Sequence, residues 1–261
     1  HDPYQPDSPY AWFRLWMALL AATLSGVGMW AIIVVLPEAQ TEYGISRGDA
    51  SLPYTVMMFG FAFGTIVLGK LADRTGIVAP IVIAGATLGA GFVLSGLAPN
   101  IYTYSAAHFL VGVGTGTGFA PMMADTSHWF VKRRGIAVVI VASGNYLAGT
   151  IWPMIIRFSL PSFGWRATYI GIGIAVAVTL IPLAFFFRRR PSQKIMAAAD
   201  SAAEVARADL GMSPALLQFL LVVAGFACCV AMSMPQVHLV AYCRDLGYGV
   251  ARGAEMPSLM L

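Results

Sequence analysis

The feature that most limits this chain is a series of long stretches with no acidic or basic side chain. Leu15 to Pro37 is one, held between Arg14 and Glu38. Ala50 to Gly69 is the next, between Asp49 and Lys70. Thr75 to Ala124 is far longer, and Ala98-Pro99-Asn100 interrupts its middle with turn-forming residues. Gly135 to Ile156, Ala167 to Phe187 and Leu210 to Cys243 follow, and Met256 to Leu261 begins another. A bilayer core about 30 Å thick takes roughly 20 apolar residues in helix. With the long run divided at 98–100, the chain holds six spans up to Phe187, a seventh before Cys243 and the start of an eighth. Lipid offers no partner for backbone polar groups, so each span is read as a helix. Composition agrees: 58% of residues are apolar and 11% charged, against about 25% charged in soluble domains. That balance excludes a disordered chain and a water-soluble helical bundle. The first run is too long for a signal peptide, and no cleavage site follows it.

Basic residues set the orientation of such a protein. Arg14, Lys70, Arg74, Lys132, Arg133, Arg134, Arg188, Arg189 and Arg190 all fall on one set of helix ends. Those ends are expected in the cytoplasm, in a multi-pass protein of the cytoplasmic (inner) membrane. The expected organisation is a cytoplasmic tail over 1–12, a six-span bundle over 13–190, a cytoplasmic linker over 191–213, and a seventh span opening an incomplete second bundle over 214–261. The Asp- and Pro-rich head, His1 to Pro9, reads as a mobile tail. Three cysteines build no disulfide framework. Cys228 and Cys229 lie in an apolar run and read as small packing residues; Cys243 lies near an outer loop.

The loop after the second span reads Gly69-Lys70-Leu71-Ala72-Asp73-Arg74-Thr75-Gly76. Glycines at both ends suit a tight turn between close helices. Asp73 suits a helix N-terminus or an Arg, and Arg74 a carboxylate. This segment resembles the G-x-x-x-D-R-x-G signature of the major facilitator superfamily. The resemblance implies a latch formed by Gly69, Asp73, Arg74 and Gly76 that gates the cytoplasmic side. The basic residues that often follow in the family are replaced here by Ile77-Val78-Ala79-Pro80, which implies a weaker latch. In the fourth span, His108-Phe109-Leu110-Val111-Gly112-Val113-Gly114 is similar to the family's R-x-x-x-G-x-G pattern, with His108 in the Arg position. Two readings stand for His108: a hydrogen-bonded structural histidine, or a proton carrier, since imidazole titrates near neutral pH. The glycines of this span, with Gly60 and Gly64 and with Gly85 and Gly89, make surfaces where helices approach closely. Trp129-Phe130-Val131-Lys132-Arg133-Arg134-Gly135-Ile136-Ala137 and the glycine-rich fifth span resemble the oxalate/formate and monocarboxylate branch. There Gly144, Gly149 and Pro153 would let the helix bend.

Carriers of this kind bind substrate near mid-membrane, so polar residues at that depth are the candidates. They are Thr23, Ser25 and Trp30 in span one, Thr115 and Thr117 in span four, Asn145 and Tyr146 in span five, and Gln236 and His238 in span seven. Asn145 and Tyr146 stand first, because an amide and a phenol donate neutral hydrogen bonds to a small carboxylate. Each candidate also suits an interhelical hydrogen bond, and Trp30 an outer aromatic belt. No Asp, Glu, Lys or Arg sits at mid-depth, so no carboxylate relay is visible. The resemblance implies a fixed basic counter-charge in a second half.

No nucleotide loop, zinc motif or other enzyme signature occurs. No metal site, cofactor or nucleic acid is expected. The all-helical fold implied is the superfamily's six-helix N-terminal bundle plus one further transmembrane helix and a truncated eighth. The implied function is alternating-access transport of a small organic anion such as a monocarboxylate. Its partners would be the lipid bilayer, that anion, and a second six-helix half or another membrane protein over the open face. Full members have twelve spans, so this chain is expected to be incomplete and not to transport alone. The other reading is a carrier-like structural subunit of a larger membrane complex.

Overall fold

The computed structural model describes residues 6–189, 201 and 212–246, without the side chains of Arg47 and 232–245. Among the described residues each uncharged run becomes helix, and no strand forms. The first run is two nearly continuous helices, α1 (Pro9–Ser25) and α2 (Val27–Tyr43), joined at Gly26. A single turn, α3 (Arg47–Ala50), leads into α4 (Leu52–Thr75). The long third run divides at 98–100 into α5 (Val78–Leu97) and α6 (Ile101–Thr117). The Asn100 carboxamide accepts from the Tyr102 and Thr103 N–H groups at 3.1 and 2.9 Å, so it starts α6 by satisfying orphan donors. After Gly118 and Phe119 the chain continues as α7 (Ala120–Ser127). The helix α8 (Arg134–Ala184) contains two passes, because Gly164 at φ 72° and ψ 168° breaks it. A 3-10 turn, Phe185–Phe187, ends it. The last helix, α9 (Pro214–Asp245), holds the seventh run.

The reversal at Gly164 is visible in what α8 touches. Gly144 meets α1 at Ala22, Arg166 reaches Gly96 and Ala98 at the end of α5, and Gly85 near the start of α5 meets Ile181. Arg189 then returns to Arg14 near the start of α1. Five segments are long and apolar enough to cross a membrane, and one of them, Arg134–Phe187, includes both passes. The helix α6, at 17 residues, is shorter than those segments and packs along α4 through Gly112 and Gly116.

Glycine contacts hold the helices together. A Cβ on Gly60 or Gly64 of α4 would strike the backbone at Phe109 or Val113 of α6. Reciprocally, Gly112 and Gly116 of α6 lie on the backbone of Met57 and Phe61. Gly89 and Gly173 pack on each other between α5 and α8. Lipid-buried helices gain little from hydrophobic burial against one another, so this backbone proximity supplies much of their adhesion. Large apolar side chains such as Phe59, Phe63 and Ile66 of α4 are left exposed on the outside of the bundle. The helix α9 buries none of its 214–231 stretch against the rest.

Two polar clusters close the ends of the bundle. At one end Arg14, 4% exposed, pairs with Asp125 through bonds of 2.7 and 3.1 Å. Its guanidinium also donates to the Arg189 carbonyl at 3.2 Å and lies 4.8 Å from the Trp129 ring and 4.9 Å from the Phe187 ring. At the other end Arg166 pairs with Glu42 at 2.8 Å and donates to the Gly96 and Ala98 carbonyls at 3.0 and 2.7 Å. The Trp165 indole also donates to Glu42.

Three expectations change here. The head is not loose throughout: the Asp7 carboxylate accepts from the N–H groups of Val131, Lys132 and Arg133 at 3.3, 3.0 and 3.3 Å. Tyr10 and Trp12 stack edge-on to Trp129 and Phe130, and α1 begins at Pro9, inside the stretch read as tail. The orphan donors before α8 account for this, since a carboxylate is their natural acceptor. The second change concerns Gly69, which is helical rather than part of a turn, because α4 runs on to Thr75. Only Gly76 makes the turn, at φ 84°, where its N–H caps the Ala72 carbonyl. Third, Cys228 and Cys229 are exposed rather than packed. The linker over 191–213 falls mostly outside the described residues, and the start of an eighth span at Met256 wholly so.

Candidate functional site

The interruptions in two helices meet at mid-bundle. Gly26 breaks α1 from α2, and Gly118 with Phe119 breaks α6 from α7. A Cβ on Gly118 would touch Ser25, and one on Gly26 would touch Ala148 of α8, so the broken places abut closely. The backbone at Phe119, φ −105° and ψ −104°, turns its ring off the helix axis. A cavity of about 370 Å³ opens beside this junction. Ala22, Gly26 and Met29 form one wall, Tyr54, Met58 and Phe61 of α4 a second. Thr115, Gly118 and Phe119 form the third, Asn145 and Tyr146 of α8 the fourth, and Cys228 and Cys229 of α9 close the side.

Three of the residues proposed from sequence therefore meet in one place: Thr115, Asn145 and Tyr146. The Thr115 hydroxyl donates to the Val111 carbonyl at 2.8 Å, which leaves its oxygen able only to accept from a guest. Trp30 is placed differently. It is 1% exposed, does not line the cavity, and its indole donates to the Asn145 carbonyl at 3.0 Å. Trp152 answers by donating to the Thr23 carbonyl at 2.9 Å. These two indoles strap the first span to the fifth and hold Asn145 in register, so Trp30 is no outer belt residue. Gln236 and His238 lie in α9, but their side chains are outside the description.

His108 is fully buried in a different region, among Tyr104, Tyr169 and Ser95. Its Nδ1 lies 2.9 Å from the Tyr104 carbonyl and 3.2 Å from the Ser95 hydroxyl. A carbonyl only accepts, so Nδ1 carries the hydrogen in the neutral ring. Nε2 is then an acceptor, buried with no partner among the described residues. Asp73 and Arg74 are exposed at the foot of α4, with no partner among the described residues.

Sequence reasoning missed Tyr54, Met58, Phe61 and Phe119 as cavity walls. Apolar and aromatic side chains are common throughout these spans and carry no positional signal. The one local clue is Phe119-Ala120-Pro121, an aromatic residue just before a helix-starting proline.

The chain matches the Major Facilitator Superfamily over residues 18–261. It belongs to that superfamily. Among curated superfamily relatives, it is 27% identical over 176 residues to the probable sulfoacetate transporter SauU of Cupriavidus necator, covering 67% of this chain and 41% of that protein. It is 25% identical over 168 residues to human monocarboxylate transporter 6, covering 64% and 33%. It is 26% identical over 182 residues to the 4-hydroxybenzoate transporter PcaK of Pseudomonas aeruginosa, covering 69% and 41%. All three are named as transporters and none as an enzyme. The matched part thus spans 33–41% of the length of these relatives. The structure superposes on a D-xylose-proton symporter with a TM-score of 0.71 at 15% identity, covering 96% of this chain and 65% of that one. That likeness shows the superfamily fold. A multi-pass membrane protein follows from both comparisons and from the helices themselves.

Proposed function

We propose that this chain is part of a secondary active transporter that moves a small organic anion, such as a monocarboxylate, by alternating access. The observation that carries the reading is the mid-bundle cavity walled by Asn145 and Tyr146 beside the junction of two broken helices. Broken helices at mid-depth are where carriers of this kind hold substrate. The names of the sulfoacetate, monocarboxylate and hydroxybenzoate carriers support an anionic substrate. In this reading the Arg14 end faces the cytoplasm of a cell bounded by an inner membrane, because the basic residues gather there. Gly69, Asp73, Arg74 and Gly76 gate that side against a second six-helix half. His108, walled in by aromatic rings away from the cavity, serves as a structural histidine rather than a proton carrier.

The test is uptake of labelled monocarboxylates into vesicles from cells that express the complete gene. Uptake above vector-only vesicles is expected, as is a drop of about tenfold in Asn145→Ala at equal protein in the membrane, the scale of one hydrogen bond to a charged group. Uptake at the vector-only level for every carboxylate would overturn the reading.

A further inference from the structure

The cavity differs from a site built for a small, strongly hydrated acid. Its volume of about 370 Å³ would hold about a dozen waters at roughly 30 Å³ each. A two-carbon acid would displace only a few of these. The walls between the polar atoms are rings and thioethers. Phe61 and Phe119 pack on each other at 6.3 Å between centroids, tilted by 52°, and Met58 lies on the same wall as Phe61. Such surfaces reward an apolar guest and pay nothing to a polyol, which would lose its water without gaining partners.

The polar atoms are few and of one kind. Among the described residues no Asp, Glu, Lys or Arg lines the cavity. The Asn145 amide and the Tyr54 hydroxyl make no hydrogen bond to any described residue, and both side chains are half-buried on this cavity. The Tyr146 hydroxyl is a third donor on the same lining. Thr115 has already spent its proton on Val111. Three neutral donors suit the oxygens of one carboxylate, which only accept. A second carboxylate would find no further side-chain donor on the described walls.

We infer that the cavity takes a singly charged carboxylate borne on an aromatic body, with Tyr54 joining Asn145 and Tyr146 at the carboxylate and the ring laid against the wall that Phe61 and Phe119 form together. The inference rests on the anion-transport reading and narrows it. An aromatic wall favours a flat guest laid against it edge-on or offset. Tyr54 is thereby a binding residue, and Phe119 sets specificity.

The experiment is calorimetric titration of the full protein in lipid nanodiscs with four probes: benzoate, acetate, malonate and benzamide. Benzoate is expected to bind about tenfold or more tightly than acetate, the scale of burying one apolar ring. Tyr54→Phe is expected to weaken benzoate about three- to tenfold, the scale of one neutral hydrogen bond, at an unchanged melting temperature. Phe119→Leu is expected to weaken benzoate and leave acetate unchanged. Acetate or malonate binding as tightly as benzoate would overturn the aromatic assignment while the anion reading stands. Benzamide binding as tightly as benzoate, or no carboxylate binding at all, would overturn the anion reading and the inference together. Benzoate binding that Tyr54→Phe leaves unchanged would remove Tyr54 from the site.

Discussion

The two ends of the bundle are each closed by an arginine and a carboxylate, but in opposite physical settings. At the Arg14 end the arginine is 4% exposed beneath the rings of Trp129 and Phe187, and Asp125 is 15% exposed. At the Arg166 end the partners are 34% and 44% exposed. A buried pair is strong only as a pair, since removing one member leaves a charge with no water and no partner. A half-exposed pair is replaced by water at little cost. The Arg14 cluster also ties distant segments together: α1, the end of α7 through Asp125, and the chain beyond α8 through Arg189. The Arg166 cluster joins α2, α5 and α8, with backbone carbonyls doing as much as the carboxylate. One end is a structural knot, and the other is a solvent-screened pair reinforced by backbone carbonyls.

The largest effect is expected from Asp125→Ala. It should destabilise the bundle by about 3–5 kcal/mol by stranding the Arg14 charge, read as a lower melting temperature in detergent-solubilised protein. Arg14→Met combined with Asp125→Leu should recover most of that loss in the same assay, because no charge is then left buried. A double variant as unstable as the single one would show that the charge pair itself, and not the desolvated orphan, holds this end. Glu42→Gln is expected to cost only about 1 kcal/mol. Its penalty should shrink as salt is raised, whereas that of Asp125→Ala should not, because screening acts on exposed pairs. The smallest effect should come from Asp7→Ala, about 0.5 kcal/mol for an exposed backbone cap. Hydrogen exchange at Val131, Lys132 and Arg133 should quicken in that variant while the rest of the bundle stays protected.

The same contrast explains what could be read in advance. The spans were legible because lipid forbids charge over about 20 residues, and the turn at Ala98-Pro99-Asn100 because Asn100 is a strong helix starter. The glycine seams were legible from four-residue spacing, and Gly60, Gly64, Gly112 and Gly116 do lie on facing backbones. Arg14 and Asp125 were visible only as residues at helix ends, since 111 positions separate them and neither carries a motif. Asn145 and Tyr146 were found because polar residues are rare at mid-depth. Tyr54 and Phe119 were not, because an aromatic residue in an apolar helix looks the same whether it faces lipid, a neighbour or a cavity.

Its motifs carried the resemblance to the major facilitator superfamily, and by itself the sequence determined a helical membrane protein with its helices and glycine contacts in order. These follow from local rules: transfer of charge into lipid, backbone hydrogen bonding and the absence of a Cβ. Only the tertiary structure decided which side chains share a space. It brought the breaks at Gly26 and Gly118 together, put Phe119 and Tyr54 on one cavity with Asn145, and buried Arg14 against Asp125. Those outcomes depend on how each helix is rotated about its axis against all its neighbours at once, and no single stretch of sequence carries that information.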